Sequence, residues 1–247
     1  MTVINSILKK LKVWILIIAI IAAGKQFLFK KDVPTEVPTT KPEISTEVQL
    51  NKTNEIPAYT GKAFTVLNNN VPEFYQEDLK HKGGYKKFTE LDSLKRCGAA
   101  FAILGPETLP KEKRQPIGMV KPSGWQLSKY DFIDQKYLYN RCHLIGFQMS
   151  GENANPKNLI TGTRYLNVTG MLPFENRVTD YIKQSRKHVA YRVTPIFKGN
   201  ELVARGVKME AYSIEDQGAR VNFNVFVHNV QPGVTIDYKT GKNKKSK

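Results

Sequence analysis

Residues Leu166–Lys187 carry apolar side chains at helical spacing. Met171, Phe174, Val178, Tyr181 and Ile182 fall three or four apart, so they share one face of a helix. Three segments after it alternate instead: His188–Phe197, Leu202–Ile214 and Val221–Val230, with Lys198-Gly199-Asn200 as the turn between the first two. The alternation within Asn222–His228 predicts a strand with one wet face. One striped helix among strands buries its stripe by lying on them. The expected fold class is therefore α+β, a largely antiparallel sheet packed against a main helix. Pro173 either opens that helix or kinks it, because it has no N–H to donate. Upstream, Ala63–Leu67, Tyr85–Phe88, Ala99–Ile103 and Tyr137–Leu144 read as strands. Asn68–Asn70 reads as a turn, Pro72–Leu79 as the start of a short helix and Glu107–Gln115 as a loop.

The 247 residues divide unevenly. Residues 1–31 place Lys9, Lys10 and Lys12 before the apolar run Val13–Ala23. That run is short against the roughly 20 residues of a full span. It fits an uncleaved signal anchor, if Lys12 and Lys25 snorkel to the interfaces, or a cleaved signal peptide ending near Ala22-Ala23-Gly24. A buried core helix is the third reading. Either targeting reading places the remainder outside the cytoplasm, anchored at the membrane or secreted. Residues 32–58 hold four prolines and no aromatic residue, the composition of a flexible spacer. Residues 59–240 are the folded domain, and 241–247 form a basic tail expected to fray.

A hydrophobic fraction of 40% excludes a disordered polyelectrolyte, and a single long apolar run excludes a polytopic membrane protein. Two cysteines exclude a cysteine-cluster zinc site. In an exported chain Cys97 and Cys142 are expected to form a disulfide closing a loop of about 45 residues, worth roughly 2–4 kcal/mol; the rival is a pair of buried thiols. The net charge of +16 suits a polyanionic partner, nucleic acid or an envelope polymer.

The chemistry is concentrated between Tyr139 and Val178. This stretch holds Asn140, Arg141, His143, Asn153, Asn155, Asn158, Arg164, Asn167, Glu175, Asn176 and Arg177. Of the four histidines only His143 has such neighbours. A neutral imidazole can take a proton from water near neutral pH. A hydrated magnesium ion needs few protein oxygens. Asn140-Arg141-Cys142-His143 on a strand, followed by Asn residues leading into a helix, resembles the DNA/RNA non-specific endonucleases of the ββα-metal (His-Me finger) type, above all bacterial exported and DNA-entry nucleases. In that family the tetrad is Asp-Arg-Gly-His; here Asn140 and Cys142 replace its first and third residues.

The resemblance covers roughly residues 60–240 and implies a set of roles. His143 would be the general base and Asn167 the magnesium ligand, with Mn²⁺ as a substitute. Asn158, nine residues before Asn167, would hold the site, and Glu175, eight after it, would support the metal's water shell. Asn140 and Arg141 would support the strand. Arg114 in the basic stretch Lys111–Arg114 would clamp the phosphate, with Arg141 and Arg164 as weaker candidates. The implied partner is DNA, with RNA as a further substrate, bound without sequence specificity. The N-terminal segment adds the membrane, and the DNA-entry likeness adds an uptake machinery. Two other classes remain open: a catalytically silent nucleic-acid-binding surface protein, and an envelope-polymer binder, which leaves the His/Asn cluster unexplained.

Overall fold

The computed structural model describes residues 56–246. Its centre is a six-stranded antiparallel sheet in the order β1-β8-β7-β6-β3-β2. These strands are β1 (Phe64–Val66), β2 (Lys86–Phe88), β3 (Ala100–Leu104), β6 (Val189–Ile196), β7 (Gly206–Ser213) and β8 (Asn222–His228). Two hairpins complete the strand set: β4 (Tyr139–His143) with β5 (Leu159–Thr163), and β9 (Val234–Ile236) with β10 (Asn243–Lys245). Thus Asn243–Lys245, expected to fray, pairs with Val234–Ile236.

The expected helix is two elements. Tyr165–Met171 is a π-helical turn, and the α-helix proper, α3, runs Leu172–Ser185. Pro173 is the second residue of α3; the helical backbone is continuous across Met171 and Leu172, so this proline, with no N–H to give, stands where π-helical bonding (Leu172 N–H to the Asn167 carbonyl) gives way to α-helical bonding. The chain leaves α3 through Arg186 in the left-handed region, φ 61°. Two shorter helices, α1 (Gln76–Leu79) and α2 (Phe147–Ser150), lie in the connections.

The stripe lands where its spacing predicts. Met171, Val178, Tyr181 and Ile182 are buried, and Phe174 packs at the margin, against alternate sheet residues such as Tyr191, Met209, Phe223 and Val225. Cys142, Leu144 and Ile145 of the β4 segment enter the same core, so hairpin and helix cover one face of the sheet together. The opposite face is covered as well. Phe101, Ile103, Ala190 and Tyr212 pack with Phe74. There Arg192 forms an ion pair with the buried Glu210 (2.8 Å) and donates to the Glu73 carbonyl (2.6 Å). Hence β8 has no wet face. Asn224 donates to the Val71 carbonyl (2.8 Å) and His228 bonds Thr65 Oγ1 (3.0 Å), because the segment around β1 folds over them.

Two expectations are corrected here. Cys97 and Cys142 form no disulfide; both are buried free thiols. Cys97 Sγ points to the carbonyls of Pro156 and Leu159, both at 3.1 Å, whereas Cys142 Sγ lies against Gly162 on the paired strand. Each thiol is thus satisfied by its own surroundings in the core. Burial pushes the Cys97 thiol up to about 11 and raises Cys142 further. The membrane-anchored placement is the second correction. Among the described residues no helix is long and apolar enough to cross a membrane, since the longest, α3, has 14 residues and one polar face. The run Val13–Ala23 and nearly all of the spacer lie outside the described residues, and the membrane partner is not carried further.

Candidate active site

Strand β4 exposes alternate residues to two environments. Cys142 and Tyr139 go into packed interiors. His143, at the strand's end, is buried at 7% exposure beside the loop Gly151–Asn155. Its Nε2 lies 2.7 Å from the Asn153 carbonyl oxygen. A carbonyl can only accept, so Nε2 carries the proton and Nδ1 is left with its lone pair. Burial lowers the affinity of this ring for a second proton; the Asn153 bond opposes that shift, and the Arg114 guanidinium reinforces it. The imidazole is therefore neutral near pH 7, with one basic nitrogen.

The loop that holds His143 is itself held. Asn153 Oδ1 accepts from the Gln115 backbone N–H (3.3 Å), which ties the segment carrying Arg114 to the histidine's partner. Lys86 reaches across from β2 to Glu152 (2.5 Å) and to the Ser150 carbonyl (3.2 Å). Asn158 closes the turn after β4. Its amide accepts from Ile145 N–H (2.9 Å) and donates to the Ile145 carbonyl (3.0 Å), with no exposure to solvent. Both ends of that side chain are committed to backbone, which leaves no free donor oxygen for a cation.

Asn167 projects from the π-helical turn toward β4, and its Nδ2 donates to Asn140 Oδ1 (3.2 Å). Its own Oδ1 has no hydrogen-bond partner among the described residues. Thr163 and Gln231 fix the start of this turn by accepting from the N–H groups of Leu166 (2.9 Å) and Tyr165 (3.1 Å). Asn229 locks the hairpin to the sheet: it accepts from Thr163 N–H and donates to the carbonyls of Thr161 and Ala204, all within 3.0 Å.

Glu175, one turn into α3, is 8% exposed and lies against the backbone of Gly146, where a Cβ would come within 3.0 Å of its Oε1. No described residue hydrogen-bonds its carboxylate. Burial pushes its pKa up to about 7, and Arg114 pulls the other way. The one guanidinium of Arg114 thus bears on both His143 and Glu175.

Arg141 and Arg164 point elsewhere. Arg141 donates to the carbonyls of Val120 (2.5 Å) and Gly118 (2.8 Å) and stacks over Trp125 at 4.1 Å, so it braces the segment between β3 and β4. Arg164 pairs with Asp134 (2.6 Å). The other histidines lie outside this cluster. His81 stacks on Tyr85, and His188 is held between Glu215 (2.6 Å) and Glu107 (3.4 Å).

The unit β4–β5–α3, with a histidine ending its first strand and an asparagine leading into its helix, is a ββα arrangement. A family profile described as DNA/RNA non-specific endonuclease matches residues 77–215, more than half of the chain. The chain belongs to that family. Among solved structures it is similar to NucA from Streptococcus agalactiae with magnesium bound (27% identity, TM-score 0.67, 74% of this chain and 89% of that one) and to the same protein without metal (28%, 0.64). The Sda1 nuclease with bound zinc shares the fold at 24% identity and TM-score 0.62, over 75% of this chain and 97% of that one. A deoxyribonuclease of Streptococcus dysgalactiae subsp. equisimilis is 34% identical over 110 residues, 42% of this chain; the match spans about a third of that relative, 32%.

For such a family member the oxygen donors are informative. Asn167 Oδ1 and the Glu175 carboxylate are hard oxygens without protein partners, which suits a hard divalent cation. Among the described residues no three His, Cys, Asp or Glu side chains converge as a metal cage. The donor set therefore fits an ion that keeps most of its water. Sequence reasoning missed the groups that position the others, namely the Asn153 carbonyl, the Gln115 N–H and Asn229. The first two are backbone groups, which residue type does not mark.

Proposed function

We propose that the chain is a metal-dependent, sequence-non-specific endonuclease that hydrolyses phosphodiester bonds of DNA, and of RNA, at the site formed by His143, Asn167, Glu175 and Arg114. The observation that carries this reading is the His143–Asn153 bond (2.7 Å), which fixes the tautomer and points a basic Nδ1 away from the protein backbone. Nδ1 takes a proton from a water whose oxygen attacks phosphorus. The bond from phosphorus to the 3′ oxygen breaks, which leaves a 5′-phosphate end. Arg114 offsets charge on the phosphate. Asn167 would hold Mg²⁺ through Oδ1, and Glu175 would accept hydrogen bonds from the ion's water shell; that a relative was solved with magnesium bound supports the choice of ion. When bound, the cation supplies electrostatic stabilisation of the phosphate charge and of the departing oxygen.

The test is plasmid nicking with Mg²⁺, with and without EDTA. Cutting is expected in Mg²⁺ and lost in EDTA. His143→Ala should lower kcat by roughly a hundred- to ten-thousand-fold, the range for loss of a general base. Because the His143 pKa is depressed, the acid limb of kcat/KM should lie below pH 6.5. Salt-sensitive retention of DNA without cutting would make the chain a silent binder.

A further inference from the structure

Beside the catalytic residues lies a cleft of about 370 Å³, lined by residues of β2, the loop 107–115, α2 and the loop after it. Its volume is in the range of small-ligand sites. Three lining residues tie it to the chemistry. Gln115 adjoins Arg114, Asn153 supplies the carbonyl that holds His143, and Phe147 follows the Gly146 against which Glu175 packs. The cleft thus adjoins the groups that hold His143 and Glu175 in place.

Its charge is selective. Lys86 is committed to Glu152, and Glu107 lies 3.4 Å from His188. Lys111 and Lys113 line the cleft, are exposed and form no ion pair among the described residues; Glu112 between them is the only lining acid left without a partner. The surplus is cationic. Phe147 adds a half-buried ring at the catalytic end, and aromatic faces hold bases by stacking without regard to sequence.

We infer that this cleft is a subsite for the nucleotide adjoining the scissile phosphate, with Lys111 and Lys113 on that nucleotide's own phosphate and Phe147 against its base. The inference rests on the endonuclease reading and extends it: the enzyme recognises at least one further nucleotide of the strand it cuts.

The full chain carrying both Lys111→Ala and Lys113→Ala tests this against two substrates, a single-stranded octanucleotide and bis(p-nitrophenyl) phosphate, a diester with no nucleotide. The octanucleotide KM should rise about tenfold, and the slope of log KM against log salt should flatten by about one, the signature of one lost phosphate contact. The loss in kcat/KM should be at least about five times larger on the octanucleotide than on the small diester. An unmoved octanucleotide KM and salt slope overturns the subsite. So does an equal loss on both substrates, which would place the lysines at the reacting atoms. Fluorescence anisotropy of the octanucleotide separates the two claims. If the wild-type chain cuts neither substrate in Mg²⁺ yet binds the octanucleotide through these lysines, the endonuclease reading falls and the subsite stands. If it does neither, both fall.

Discussion

At the scale of single residues, the site is organised by what each side chain can no longer do. Asn140 is the clearest case. An amide at 140 can present either end to Asn167, whereas a carboxylate can only accept. Asn140→Asp would therefore hold Asn167 Nδ2 toward β4 and Oδ1 toward the cation, and would add a negative charge nearby. The Mg²⁺ concentration giving half-maximal nicking should fall by about tenfold, a gain well within a screened charge–charge attraction; an unchanged titration would show that the amide pair already holds that orientation. Glu175 is the second case. Its pKa is raised from 4.5 to about 7 by burial. Between these values the unfolded chain releases the proton and the folded chain keeps it, so stability falls as pH rises through the window and levels off above it. The full loss is about 3 kcal/mol. In EDTA, Glu175→Gln should match the wild type in denaturant midpoint near pH 4 and exceed it near pH 8. Parallel pH profiles of the two proteins would refute the buried-carboxylate account. The types of these residues could be read from the sequence because Asn, Glu and His are rare together beside a core strand. Their orientation could not, because it is set by backbone carbonyls and N–H groups that every residue shares.

At the scale of elements, the helix stripe was legible and the turn before it was not. From Met171 onward the 3,4 spacing holds, but Leu166, Gly170 and Met171 are buried at the wider spacing of a π turn. Single π turns occur often at functional sites. Gly170 shows what fixes this one. A Cβ there would overlap Cγ1 of Val227 on β8, so the turn lies directly on the sheet. Gly170→Ala must push the turn, and Asn167 with it, away from β8. It should destabilise the fold by about 1–3 kcal/mol, the usual cost of overpacking, and raise the Mg²⁺ requirement. Adding Val227→Ala should restore both urea midpoint and Mg²⁺ titration. If the titration stays normal in the destabilised single variant, the turn does not position the ligand. Strand β5 escaped the sequence reading for a related reason. Leu159–Thr163 contains Gly162 where Cys142 packs, so close approach replaces the β-branched alternation that marks a strand. The same crowding explains the missing disulfide, since the Cys142 sulfur is enclosed between strand and helix.

At the scale of the whole molecule, net charge was legible and its placement was not. The figure of +16 already subtracts every acid, so it does not say which cations are left free to meet a polyanion. Arg192 and Lys208 are bound to Glu210, Arg96 to Asp92, Arg164 to Asp134 and Lys86 to Glu152. The segment Lys111–Arg114 is different: its three cations form no ion pair among the described residues, Lys111 and Lys113 line the cleft, and Arg114 bears on both His143 and Glu175. Lone sequence position cannot reveal this, because pairing depends on which acids the sheet brings near. If those three cations supply the phosphate contacts, Arg114 on the scissile phosphate and Lys111 with Lys113 on the adjoining one, log kcat/KM for duplex DNA below saturation should fall against log salt with a slope near −2, and moving from about 50 to 200 mM should lower kcat/KM roughly twelve-fold. The decline should appear in KM, with kcat nearly constant, because counterion release opposes binding rather than bond breaking. A slope several times steeper would mean that cations beyond this segment also meet DNA. A flat profile would detach substrate binding from this segment altogether. The slope therefore counts how many phosphates the cations left by the fold neutralise on binding.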